Sequence, residues 1–131
     1  GVRAPVWGIA RKCSEAIEFG DYLIPSNSYL AIPIYVLHRH PDFWEQAERF
    51  DPDRFSPREQ KNRHSYAYLP FAGGPRTCIG ANMAMLETQL ILSRLVQQYE
   101  ITPVKGHPVV TAAVVTLRTR DGLPVTIKQR S

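Results

Sequence analysis

The sequence predicts an α+β fold: short strands at both ends, packed coil in the middle and one long buried helix after the coil. Three features predict it. Residues 80–98 set Met83, Leu86 and Leu90 along one helical face, and Ala84, Met85, Ile91, Leu92, Leu95 and Val96 widen that face to most of the circumference. The two ends carry β-rich runs punctuated by Gly-Asp and Asp-Gly. Between them, residues 41–70 show no clean period but are dense in Pro, Asp, Arg and aromatics.

Taken in order, Pro5–Ala10 is a brief apolar strand, and Ala16–Phe19 with Tyr22–Pro25 forms a hairpin about Gly20-Asp21. Ser28–Ile34 is β-rich, with Pro33 confining it to a strand end or an edge. Tyr35–His40 suits a short helix closed by Pro41. Phe43, Trp44, Phe50, Phe55 and Tyr66 make the following segment packed coil and not linker, and long coils inside compact domains are often functional. The helix at 80–98 is apolar nearly all round, so it must be buried on several sides. Surrounding it fully takes more protein than this chain offers. Val109–Leu117 and Pro124–Lys128 are strands, with Asp121-Gly122 as the turn between them.

Composition removes several function classes. The 131 residues are about one domain, and 44% hydrophobic against 21% charged residues excludes intrinsic disorder. Eleven prolines argue against an uninterrupted helical bundle. Two cysteines, Cys13 and Cys78, exclude a disulfide scaffold and a four-Cys zinc site. The net charge of +4 is spread without a basic run, so nucleic-acid binding lacks support. Lys61, Arg63 and their neighbours are candidates for a patch that docks an acidic electron donor. No run of about 18 apolar residues is present to span a membrane. Gly1–Pro5 resembles neither an initiator nor a signal peptide, and the chain is expected to be a piece of a longer one.

The chemistry concentrates at Pro70–Gly80. Gly73, Gly74 and Pro75 force a tight turn. Cys78 follows just before the long helix, where unpaired N–H groups and the helix dipole favour an anion, and Arg76 adds a positive charge. Both favour an anionic sulfur, suited to metal ligation or nucleophilic attack. Taken alone, a cysteine at a helix start is most often a small buried residue. A phosphate cradle would need a Lys that does not follow here. Thiol catalysis would need a base, and the spacing singles out neither His64 nor His107.

The full pattern is more specific. Phe71-x-x-Gly74-x-Arg76-x-Cys78-x-Gly80 resembles, at all five positions, the haem-binding signature of the cytochrome P450 family. Pro52-Asp53-Arg54-Phe55 resembles that family's Pro-Glu-Arg-Phe box, with Asp for Glu, and His38–Trp44 resembles the segment after its K helix. The resemblance covers essentially all 131 residues but only the last quarter to third of a typical member.

The resemblance implies a mainly helical fold with small sheets. Residues 1–131 would be the C-terminal part of a single domain. The Glu-x-x-Arg helix and the oxygen-activating helix would lie upstream, since no Glu-x-x-Arg precedes Pro5. It implies haem b as cofactor, with Cys78 the axial thiolate and catalytic ligand. Phe71, Gly74, Arg76, Ile79, Gly80 and Arg11 would line the cofactor: Phe71 shields the sulfur, while Arg76 and Arg11 pair with propionates. Arg54 would be structural, in a salt-bridge network with the upstream Glu and Arg. Substrate contacts fall on Val6, Trp7, Gly8 and Ile9 and on Val114, Val115 and Thr116, all suited to an apolar ligand. The implied activity is monooxygenation of a hydrophobic substrate by O2, with electrons from a reductase or ferredoxin. A peroxygenase, an isomerase or a non-catalytic fragment that binds no haem are the alternatives, and the isolated chain is expected to be inactive.

Overall fold

The computed structural model describes residues 5–114 and 116–130. It divides into two compact units, the first ending at Pro70 and the second beginning at Phe71.

In the first unit, β1 (Ile9–Lys12) pairs antiparallel with β4 (Tyr29–Ile32), Ile9 opposite Ile32 and Lys12 opposite Tyr29. Between them β2 (Ile17–Phe19) and β3 (Tyr22–Ile24) form the expected hairpin about Gly20-Asp21. Gly8, just before β1, has no room for a side chain: a Cβ there would lie 3.0 Å from the Ile32 carbonyl oxygen. Pro33 ends β4 and starts α1 (Ile34–Leu37), one turn whose Ile34 is fully buried.

The coil after α1 is packed, as its aromatics predict, though not by all five of them. Trp44 is 2% exposed and, with Ala67, forms a small core closed by Ala47, Phe55 and Tyr68. The Phe55 and Tyr68 rings lie 4.8 Å apart, and Trp44 sits about equally far from both, at 6.1 and 6.0 Å. Phe50 is instead 83% exposed, and Phe43 and Tyr66 also face outward. Tyr68, which the spacing did not single out, takes their place.

Short capped turns hold the coil. Asp51 accepts from the Asp53 N–H at 3.1 Å and starts a 3-10 turn, Pro52–Phe55, with proline in the first turn, where a missing N–H costs nothing. Pro57 likewise starts α2 (Pro57–Asn62).

In the second unit, α3 (Ala81–Gln98) lies where the pattern predicts a helix. Its burial differs from expectation: none of its residues is buried, and Met83, Leu86 and Leu90 are 73, 58 and 61% exposed. The reason is the scarcity of neighbours. The second unit offers only two-stranded sheets, and two strands cannot cover an apolar surface that wraps a cylinder.

The strands also pair differently from the expected pattern. The Val109–Leu117 run is not one strand. It breaks at Val114, giving β6 (Thr111–Ala113) and β7 (Leu117–Thr119), which pair as a hairpin. Asp121-Gly122 then leads from β7 but does not join a hairpin, because β8 (Val125–Gln129) pairs with β5 (Tyr99–Pro103), the direct continuation of α3.

Candidate functional site: the Cys78 loop

The loop Phe71–Gly80 is built by local hydrogen bonds. The Cys78 N–H donates to the Phe71 carbonyl at 2.9 Å, drawing the two ends of the signature together. Inside this closure Gly74–Arg76 forms a 3-10 turn. The Gly74 carbonyl accepts from both the Thr77 N–H (3.0 Å) and the Thr77 hydroxyl (2.8 Å). Gly74 has φ +70°, the left-handed region that only glycine adopts without cost. Gly80 caps α3 and accepts from the Ala84 N–H at 2.9 Å, while the Cys78 carbonyl accepts from Ala81 at 3.2 Å.

Cys78 is exposed and in no disulfide, whereas Cys13 is 5% exposed, its backbone bonded to Ser28 and Asn27 just beyond β1. Ile79 is fully exposed beside it. A Cβ on Gly80 would approach the Cys78 sulfur to 3.9 Å, so the glycine keeps the helix side of the thiol clear. The sulfur is therefore presented, exposed, on a hydrogen-bonded turn at a helix start. Among the described residues no three His, Cys, Asp or Glu side chains converge as a metal cage, so Cys78 suits a group that already supplies most of its metal's ligands. Among the described residues no hydrogen bond joins the thiol to a base. His64 accepts from Tyr66 in the first unit, and the His107 ring lies in the second with its Nε2 unpartnered. Alkylation of the protein is expected to label Cys78 within minutes and to spare Cys13 under native conditions, with Cys13 reacting only in denaturant; peptide mass mapping reads this.

Ala72 carries φ +62° one residue after Phe71. An alanine there stores about 1 kcal/mol of backbone strain. Ala72→Gly is expected to remove it, less the roughly 0.4–1 kcal/mol that glycine's unfolded-state freedom costs. A thermal midpoint equal to the parent's or slightly above is the expected outcome, whereas Gly74→Ala should lower it.

The other predicted site residues divide by unit. Phe71, Gly74, Arg76, Ile79 and Gly80 share the loop with Cys78, and Arg76 is exposed. Val114 and Thr116 flank the β6–β7 turn, the Val114 N–H donating to the Thr116 carbonyl at 3.3 Å, and Val114 is 57% exposed. Val115 lies outside the described residues. Arg11, Val6, Trp7, Gly8 and Ile9 belong to the first unit. Arg11 there bonds only its neighbour's carbonyl, Ala10, at 2.8 Å, and Trp7 is 52% exposed.

Arg54 does more than await a partner. Its guanidinium donates to the carbonyls of Glu45 (2.8 Å), Gln46 (3.1 Å) and Arg49 (3.3 Å), gathering that turn, while its buried Nε finds no acceptor among the described residues. The surface-patch expectation for Arg63 needs correction. Its guanidinium stacks 4.1 Å over the Trp44 ring and donates to the Arg54 carbonyl at 2.6 Å. Burial lowers its pKa first, with Glu59 opposing and Arg54 reinforcing the shift. Arg63 is a cover for the core, while Lys61 and Arg58 stay exposed.

Comparison with known proteins places this geometry. The family Cytochrome P450 matches residues 2–120. The chain is 42% identical over 123 residues to a probable cytochrome P450 4aa1 of Drosophila melanogaster, covering 93% of this chain and 24% of that protein. It is 33% identical over 120 residues to cytochrome P450 3A29 of Sus scrofa, covering 92% and 24%. Among solved structures it superposes on retinoic acid bound cyanobacterial CYP120A1 with TM-score 0.88 and 31% identity, covering 96% of this chain and 29% of that one. The chain belongs to the cytochrome P450 family, with that family's fold of helices and small antiparallel sheets. It spans about a quarter of the length of the curated relatives it matches.

Proposed function

We propose that this chain supplies the iron ligand of a haem-thiolate monooxygenase acting on a hydrophobic organic substrate. The carrying observation is the exposed Cys78, in no disulfide, held by the Cys78–Phe71 hydrogen bond and kept clear by Gly80. These residues fit haem b: a single sulfur donor completes an iron already held by four porphyrin nitrogens, and the open face above Ile79 suits a flat apolar ring. Bound haem would supply the activation of O2, which protein side chains do not perform.

The chain's own residues do the rest. Cys78 would hold the iron, and Phe71 would shield the sulfur from water. Arg76 and Arg11 would each pair with a propionate. Ile79 would contact the ring, and Gly74 and Gly80 permit the turn and the close approach. The family resemblance assigns substrate contacts to Val6, Trp7, Gly8 and Ile9 in the first unit and to Val114, Val115 and Thr116 in the second, and a structural role to Arg54. Residues 1–131 form the C-terminal part of one domain, and electrons come from a reductase or ferredoxin. The 131-residue chain alone is inactive on this reading. The apolar residues of α3 are uncovered, and a cavity of about 520 Å³ in the first unit is lined by charged residues such as Arg49, Asp51, Asp53 and Arg58, unlike a hydrophobic substrate site.

The test is the carbon-monoxide difference spectrum of the haemin-loaded, reduced protein, run on the full-length protein and on this chain. A strongly red-shifted Soret band in the full-length protein is expected. An unshifted band, or no haem retention, would overturn the reading in favour of the non-catalytic alternative.

A further inference from the structure

His38 is completely buried, yet no part of the proposed chemistry uses it. Its Nε2 accepts the Leu69 N–H at 2.9 Å, across 31 residues of sequence. That bond fixes the tautomer: Nε2 carries no proton, so in the neutral ring Nδ1 does, and Nδ1 meets no acceptor among the described residues. The ring is wedged between Tyr68, at 5.0 Å and 35°, and Trp44, edge-on at 6.2 Å. Leu69 precedes Phe71, the first residue of the cysteine loop, by two positions.

We propose that His38 is a positioning residue: its neutral imidazole, as a hydrogen-bond acceptor, fixes the chain at Leu69 and so sets the course of the backbone into the Cys78 loop. The functional weight of this rests on the reading of that loop as the haem site. The hydrogen bond itself does not.

Protonation would place a second N–H against the Leu69 N–H, so the tie exists only while the ring is neutral. The surroundings keep it so. Burial, and then the adjacent Arg39 guanidinium, lower the His38 pKa from 6.5 to about 4. Arg39 is itself bonded to Glu48 and stacked on Tyr35. The remaining neighbours are Trp44, which does not titrate, and Tyr68, whose hydroxyl is pushed up by burial. No carboxylate is seen to pair with the ring among the described residues. The folded-state pKa is depressed below the unfolded one, so the unfolded or locally opened state binds the extra proton. The tie is at full strength above about pH 6.5 and is lost as pH falls toward 4.

The test is amide hydrogen exchange by NMR on the 131-residue chain without haem, expressed as protection factors at pH 7 and pH 5. For a folded-state pKa of about 4 and an opened-state pKa of about 6.5, protection at Leu69 is expected to fall about 20-fold between them. The Cys78 amide, which closes the loop on Phe71, should follow. His38→Gln puts an amide oxygen near the Nε2 position; it should keep the pH 7 protection and lose the pH dependence. His38→Leu should lose protection at both pH values. If both variants fail to fold, the wild-type pH series and the ¹⁵N shifts that report an unprotonated Nε2 still decide. Flat protection at Leu69, an Nε2-protonated tautomer, or a fall at Leu69 without one at Cys78 would each overturn the proposal. Because no haem is present, failure here is separate from failure of the monooxygenase reading.

Discussion

Replacing Cys78 by serine is expected to abolish the red-shifted carbon-monoxide band of the haem-loaded protein completely. A serine hydroxyl is a far weaker acid than a thiol and stays protonated at neutral pH, so the strong push of electron density onto iron disappears with the sulfur. The substitution should leave the fold intact. Cys78 is exposed, its side chain fills no core position, and the bond that closes the loop is made by its backbone N–H. The thermal midpoint of Cys78→Ser is therefore expected within a degree or two of the parent's, which separates loss of ligation from loss of structure. Cys13→Ser is the control. It changes a buried residue between strands and so should cost stability, yet it should leave the spectrum unchanged. A Cys78→Ser protein that keeps the red-shifted band would transfer the ligand role to another residue and end the assignment.

The loop was legible in the sequence because its constraints are local. Glycine at 74, proline at 75 and the thiol four residues after Gly74 act within one turn of chain, and each is an identity that few other residues could replace. The hairpin about Gly20-Asp21 was legible for the same reason. What was not legible depends on distant partners. The pairing of β8 with β5 is made across more than twenty residues, and the run Val109–Leu117 folds back at Val114 with no Gly, Pro, Asn or Asp in it to mark the turn. Arg63 reads as a surface charge until Trp44 is brought beneath it. His38 sits in a segment of charged and polar residues, and only the Leu69 bond shows that it points inward. For α3 the sequence was right about position and about the need for cover. The cover is what the second unit does not supply.

Trp44 should carry more of the first unit's stability than any other single side chain. It is the largest member of the small core at 2% exposure, and it meets Phe55, Tyr68, His38 and the Arg63 guanidinium on its several faces. Trp44→Ala is expected to cost about 3–5 kcal/mol, from lost apolar burial and the cavity left behind. The cation–π contact with Arg63 contributes roughly 0.5–2 kcal/mol of that. The core has few other members to collapse into the gap, which places the value toward the upper end. Trp44→Phe should behave differently. It keeps a ring for Arg63 to stack on and removes the indole N–H, which is buried without a partner among the described residues. Relieving an unsatisfied donor offsets part of the lost area, so a cost of about 1 kcal/mol is expected. Because the protein has two units, a single global unfolding transition is not assumed. Site-resolved hydrogen exchange is the appropriate measurement: in Trp44→Ala, protection should collapse at Ala67 and Leu69 while α3 and the β5–β8 ladder keep theirs. Equal loss at α3 and the β5–β8 ladder would mean that the two units unfold as one body.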